Sequence, residues 1–438
     1  MRTIGRGIAS RLVLAAALVA ALGATGCALA TRPANEATSH SQAAYSSAVT
    51  SEPAELTGAS AVNAFGFDLM RERLAESPSA TGNVVLSPLS VHAALSMALQ
   101  GAAGKTAAEM QRTLHLSGDA TAAASTYSLL LAALDDRSKE QTLSVANALW
   151  IDSTLAVKPE FLNANRISFG ASARTLDFKS ADVAGIVNAW VAEKTQGMVT
   201  HVIDRIDPRA VMLLGDAVYF KASWGEPFNA IATRPQLFHP SNGRPRSVPM
   251  MHEWTDLPVV KTATYSATRL GYKGGDSEAY LILPDSAHHL DDVLSRLTST
   301  GFADLGARLD SVPPTLTALA LPKFDTTVGS ELTPTLRTMG MPSAFDSHTA
   351  DFSGMATLTP DNPIFIESVI HKARLKVEEK GTEAAAATII EMATGSVATR
   401  KEPTPVPFIC DRPFAFAIVD RPTGALLFLA AINDPRVP

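Results

Sequence analysis

Residues 372–388 restrict the fold more than any other stretch of the chain. Ala373, Leu375 and Val377 alternate with Lys372, Arg374 and Lys376, the period-two pattern of a half-buried strand. The run Glu378-Glu379-Lys380-Gly381-Thr382-Glu383-Ala384-Ala385-Ala386-Ala387-Thr388 follows directly. On propensity alone, the four alanines after Thr382 make a capped helix. A period-two reading fits as well. Thr382, Ala384, Ala386, Thr388, Ile390 and Met392 then share one uncharged face, small at its leading end, and Glu383 and Glu391 lie on the other. A segment that can sit as loop, helix or strand is what insertion into a sheet requires.

The rest of the chain supplies such a sheet. Val211–Phe220 is nearly continuously apolar and β-prone, as in a strand buried on both faces. Leu281–Leu283, stopped by Pro284, reads as a short strand, and Phe414–Val419 with Ala425–Ile432 reads as a hairpin about Asp420–Gly424. Val183, Ile186, Val187, Trp190 and Val191 make the stripe of an amphipathic helix. No internal repeat or linker divides residues 58–438, which read as one large α+β domain.

Chemistry-bearing motifs are scarce. The sequence has no Gly-x-Ser-x-Gly elbow, phosphate-cradling glycine loop or His-Glu-x-x-His helix, so an exported hydrolase is the weakest of the enzyme and non-enzyme readings. His288 and His289 are adjacent and point to different faces, and the ten histidines show no metal-cage spacing. The formal charge, 37 − 43 = −6, comes without basic clusters, which excludes a nucleic-acid surface and a polyanion cofactor. No cofactor or metal is expected. Asp216 stands out within its apolar run, where a carboxylate must be paired or neutral.

The N-terminus reads as an address. Arg2, Arg6 and Arg11 precede an apolar run from Leu12 to Ala24, then Thr25-Gly26-Cys27, which makes residues 1–26 an export signal too short to span a bilayer. Cys27 sits where bacterial lipoproteins are lipidated, although Ala24 replaces the usual Leu; an ordinary cleaved signal is the alternative. Residues 27–57, rich in Ala, Ser and Thr, read as a linker. The expected location is the bacterial envelope, with membrane contact only through the lipid. Cys410, left without a partner, is expected to be a buried apolar residue.

Several longer blocks carry a family resemblance. They are Asn83–Ser90 with Gly101–Thr106, Asn188–Val191 with Lys194–Gly197, Ala217–Lys221 with Trp224, Gly381–Thr388, and Phe408–Phe416. In order and spacing they resemble the serpins of inhibitory type, over nearly all of residues 58–438. The resemblance implies a large mixed central sheet with smaller sheets, about nine helices and an exposed reactive-centre loop, here about 379–407. It also implies a monomer that traps serine proteases. The protease's serine attacks the loop, and the cleaved loop inserts into the central sheet and carries the acyl-enzyme away before water releases it. A non-inhibitory binding or structural member is the alternative, and papain-like cysteine proteases are alternative targets.

Site residues carry over from the resemblance position by position. The hinge is Glu379, Lys380, Gly381, Thr382, Glu383, Ala384, Ala385, Ala386, Ala387 and Thr388. Ser87, Ser90, Asp216 and His371 match the shutter at the sheet's centre, where the family usually has Asn in place of Asp216. An Asp facing His371 would favour imidazolium, raising the histidine's pKa and depressing that of the aspartate. Trp224, Lys323 and Glu379 match the breach, where insertion begins; as an exposed pair, Lys323 and Glu379 would contribute about 0–1 kcal/mol. Ala222 and Ala430 stand where glycine is usual, and Ala415 where a larger apolar residue is. Fourteen residues beyond Gly381 lies Gly395-Ser396, the expected bait bond, with Thr394-Gly395 as the alternative. Small residues there suit elastase-like or subtilisin-like proteases; Arg400-Lys401 would suit a trypsin-like one.

Overall fold

Hydrophobic strands in this chain assemble three sheets that share one core. The structure, a computed structural model, describes residues 53–76, 82–135, 140–207, 210–357, 364–382 and 404–435, with side chains from Gly58. The large sheet has the order β11 (Phe324–Glu331), β12 (Ile370–Glu378), β13 (Gly381–Thr382), β4 (Met212–Ser223), β2 (Gln141–Asp152) and β3 (Ser172–Leu176). A second sheet runs β1 (Val84–Leu86), β16 (Leu426–Ile432), β15 (Phe414–Asp420), β9 (Ser277–Pro284), β8 (Tyr265–Gly271) and β7 (Val259–Lys261). A third runs β14 (Val406–Ile409), β10 (Thr315–Pro322), β6 (Arg246–Leu257) and β5 (Arg234–Phe238).

Among the described residues, nine α-helices surround the sheets. They are α1 (Pro53–Glu76), α2 (Pro88–Leu99), α3 (Gly104–Thr113), α4 (Ala120–Asp135), α5 (Pro159–Phe169), α6 (Val183–Lys194), α7 (Leu290–Arg296), α8 (Ser299–Ser311) and α9 (Thr333–Met339). This is the α+β architecture that the sequence implies. One boundary differs: α1 starts at Pro53, so the linker expected to run to residue 57 stops short of it. Proline's fixed φ suits the first helical position, which lets the helix begin there despite the Ala/Ser/Thr-rich stretch before it.

The core sits where β9, β15 and β16 lie side by side, every residue of the three strands buried. The expected C-terminal hairpin is β15–β16. Its turn is fastened from the other end of the chain: Asn63 of α1 donates to Gly424 O at 2.8 Å and accepts from Leu426 N at 2.8 Å. The Phe324 ring meets Phe414 and Phe416 edge-on, at 6.2 and 5.6 Å, and so joins the large sheet to the second. Cys410 is a free, buried thiol, its pKa pushed up by burial.

α2 runs between the large and second sheets and is almost wholly buried. Ser87 caps it, accepting from Ser90 N, and Pro88 opens it. β12 alternates buried and half-buried residues as expected. β4 differs from expectation: Met212–Asp216 are only partly buried, because they border an opening beside the strand.

Phe416→Ala removes the ring that packs on Phe324, and is expected to lower unfolding free energy by about 3–5 kcal/mol. A lower urea midpoint with unchanged slope is the expected readout.

Candidate functional site

The site forms where β12 turns back on itself. After Glu378 the chain reverses through Glu379 and Lys380, and Gly381–Thr382 enter the large sheet as β13. Thr382 pairs with Val377 of β12 on one side and with Ala222 of β4 on the other; Gly381 pairs with Glu378 and Ser223. The two neighbours come so close that only glycine fits at 381. A Cβ there would collide with Ala222 O and come within 2.7 Å of Ser223 Cα.

Trp224 fixes this entry point. Its backbone N donates to Lys380 O at 2.8 Å and its indole Nε1 donates to Glu378 O at 2.9 Å. The indole stacks on Tyr272 with centroids 4.5 Å apart and planes at 11°. Tyr272 is buried, which raises its pKa, and its hydroxyl shares a 2.6 Å hydrogen bond with Thr382 Oγ1. Lys323 Nζ lies 2.8 Å from Glu379 Oε2, and Thr233 Oγ1 donates to Glu379 Oε1 at 2.9 Å. With side-chain exposures of 23% and 14%, this pair is partly buried rather than exposed as anticipated. Burial raises the Glu379 pKa, but the bonds from Lys323 and Thr233 outweigh it and hold the carboxylate below its ordinary value. Tyr272 and Thr233 were not marked by sequence; no local pattern places either beside the hinge.

Below β13 the sheet is open. Among the described residues, β4 and β12 are joined only through the two residues of β13. Between them lies a cavity of about 650 Å³, reached by Ser87 and Ser90 from α2, by Asp216 and Tyr219 from β4, and by His371 and Ala373 from β12. The structure therefore brings together all four residues assigned to the shutter.

Their electrostatics reverse the expectation. His371 Nε2 accepts from Ser87 N at 3.1 Å, which needs its lone pair, and burial lowers its pKa to about 4. Ser87 Oγ donates to Leu427 O at 2.9 Å. Burial pushes the Asp216 carboxyl well above its ordinary pKa; the nearby Ser90 hydroxyl opposes that rise. Neither Asp216 oxygen has a partner in strict hydrogen-bond geometry among the described residues, although the Ser90 hydroxyl is close enough to lower the carboxyl's pKa. No imidazolium–carboxylate pair forms, and the desolvated neutral forms of both groups are favoured instead.

The bait residues Thr394, Gly395 and Ser396, and the hinge residues Glu383, Ala384, Ala385, Ala386, Ala387 and Thr388, lie outside the described residues. Of the face predicted to lead into the sheet, Thr382 is described: it is buried and paired on both sides.

Comparison with known proteins gives one consistent result. Residues 60–435 match the family model "Serpin (serine protease inhibitor)". A serpin-like protein of Thermococcus kodakarensis is 34% identical over 413 residues, covering 92% of this chain and 93% of that one. The leukocyte elastase inhibitor of Xenopus laevis is 32% identical, covering 86% of this chain and 99% of its own. The native thermophilic serpin tengpin superposes with a TM-score of 0.77 at 25% identity, over 87% of this chain and 95% of its own.

The two buried groups give opposite pH dependences. The His371 pKa is lower folded than unfolded, so its contribution to stability is complete above about pH 6.5 and is lost as pH falls toward 4. The Asp216 pKa is raised on folding, so its contribution is complete at acid pH and is lost as pH rises, leaving a cost at neutral pH. Asp216→Asn removes that second titration. The variant is expected to be more stable than wild type at pH 8, on the order of 1–3 kcal/mol, with the gap closing toward pH 4. Urea midpoints across pH 4–8 measure this, and parallel curves would refute it.

Proposed function

Because the chain belongs to the serpin family, a family described as serine protease inhibitors, we propose that it is a suicide-substrate inhibitor of serine endopeptidases. The observation that carries this reading is the hinge, docked at one end of an open sheet. Gly381 and Thr382 already pair with β4 and β12, and the cavity continues their line between the same two strands. A loop cut beyond residue 388 would be free to extend β13 down that line. Each added residue then exchanges water for ladder hydrogen bonds on both sides, at about 0.5–1.5 kcal/mol net per bond. The protease's serine attacks the bait carbonyl and forms an ester as the bond to the next residue breaks. Insertion must outrun the water that would hydrolyse that ester.

The bait bond of this proposal is Gly395-Ser396, with Thr394-Gly395 second, and the favoured targets are elastase-like or subtilisin-like proteases. Small hinge side chains support inhibition over a purely binding role, because bulk or charge would not fit the closing sheet. The protein acts as a monomer. Residues 1–26 export it, and lipid on Cys27 would hold it to the envelope, with 27–52 as a leash of roughly 30 Å.

Incubation with elastase-like, subtilisin-like and trypsin-like proteases is expected to give an SDS-resistant complex, with the cut placed at Gly395 by mass spectrometry. Cleavage without a complex would overturn the inhibitor reading in favour of a non-inhibitory member. Thr382→Arg puts a guanidinium where Thr382 is buried against Tyr272. It is expected to reduce complex at least tenfold while cleavage continues; undiminished complex would refute insertion.

A further inference from the structure

Asn242-Gly243 is the only Asn-Gly step in the chain, and it stands between Pro240 and Pro245. It falls in residues 239–245, the connection from β5 to β6, whose last paired residues are Phe238 and Arg246. An Asn-Gly step in a hairpin is usually a two-residue turn closed by the ladder on either side. Here the ladder stops short of it. Ser241, Asn242 and Gly243 are bends, and Ser241–Pro245 are exposed. Among the described residues no backbone carbonyl accepts a hydrogen bond from Gly243 N. With φ at 102°, Gly243 holds a conformation that side chains oppose, and it has no Cβ to shield its nitrogen.

The chemistry follows from those neighbours. A backbone amide directly after an asparagine can attack the side-chain carbonyl through a five-membered ring. Gly243 N bonds to Asn242 Cγ, the Cγ–Nδ2 bond breaks, and the amide proton leaves with the departing nitrogen as ammonia. Water then opens the succinimide. Addition at Cγ gives aspartate, and addition at the Asn242 main-chain carbonyl gives isoaspartate, in which the chain runs through the former side chain. Nothing is oxidised or reduced, and water is the one co-reactant. Negative charge builds on Asn242 Oδ1 as the ring closes. Arg246 lies beside it: Nη1 donates to Asp434 Oδ2 at 2.8 Å, and Nη2 is 4.0 Å from where a Cβ on Gly243 would sit. A nearby guanidinium lowers the energy of such an anion.

We propose that Asn242 is a self-modifying site, converting in the folded protein to aspartate and isoaspartate with Arg246 assisting ring closure. The proposal is independent of the inhibitor reading. Its product sets a new carboxylate beside the Arg246–Asp434 ion pair, which ties the start of β6 to the end of the chain. Asn83 holds the same Asp434 through its backbone N and O, at 2.8 and 2.9 Å.

The test incubates the full chain in mildly alkaline buffer and maps residue 242 by mass spectrometry. An isoaspartyl methyltransferase counts isoaspartate, and hydroxylamine cleavage after residue 242 reports the succinimide. Progressive conversion is expected in wild type and none in Asn242→Gln, whose longer side chain would have to close a six-membered ring. Arg246→Gln is expected to convert roughly threefold more slowly, the effect of one unit charge about 6 Å away in water. A purely structural role for Arg246 predicts the opposite, because freeing the loop would speed ring closure. Wild type unfolded in urea sets the reference. Asn242 intact in the folded chain while the unfolded chain converts overturns the site. Conversion in Arg246→Gln as fast as in wild type, or faster, overturns the assistance and with it the proposal as stated.

Discussion

The main-chain hydrogen bonds of Gly381 and Thr382 hold two strands apart and together at once. Two residues of β13 are enough to bridge β4 and β12, and the same two residues keep those strands from meeting one another at that end. A sheet normally relieves such facing edges by closing them or covering them. Here Trp224, Tyr272 and the Lys323–Glu379–Thr233 cluster pin the bridge in place. The cavity, the incomplete burial of β4 and the exposed requirement for glycine at 381 all follow from that wedge.

Inside the opening, polar groups are arranged in a way that a closed core would not tolerate. His371 is satisfied through Ser87 and remains neutral, whereas the Asp216 carboxyl is desolvated with only the Ser90 hydroxyl acting on it. Burial favours the protonated form of Asp216, so its contribution makes the open arrangement more stable in acid than at neutral pH.

What the sequence reveals and what it hides divide along physical lines. The alternation of Ala373–Val377 and the hairpin of Phe414–Ile432 are local patterns, and the structure reproduces both. The cluster of Ser87, Ser90, Asp216 and His371 was reachable because ordered motifs place it, and all four line one cavity. The protonation of that cluster was not reachable, since it depends on how far α2, β4 and β12 exclude water and on which nitrogen faces Ser87. Tyr272 and Thr233 come from strands and loops more than a hundred residues away from the hinge in sequence, with no spacing to betray them. The start of α1 was hidden by composition, because a stretch rich in Ala, Ser and Thr reads as linker until Pro53 is seen as a helix opener.

The clasp between Asn63 and the C-terminal turn fixes the order of events in biosynthesis. Its partners are separated by 361 and 363 residues. At about 5–20 residues per second, the ribosome delivers the second partner roughly 20–70 s after the first. Throughout that interval β1 lacks β16, and the apolar side of α1 lacks the strands it packs on. Native closure of the core therefore waits on residues 424–426, and for roughly 20–70 s the growing chain carries the facing apolar surfaces uncovered.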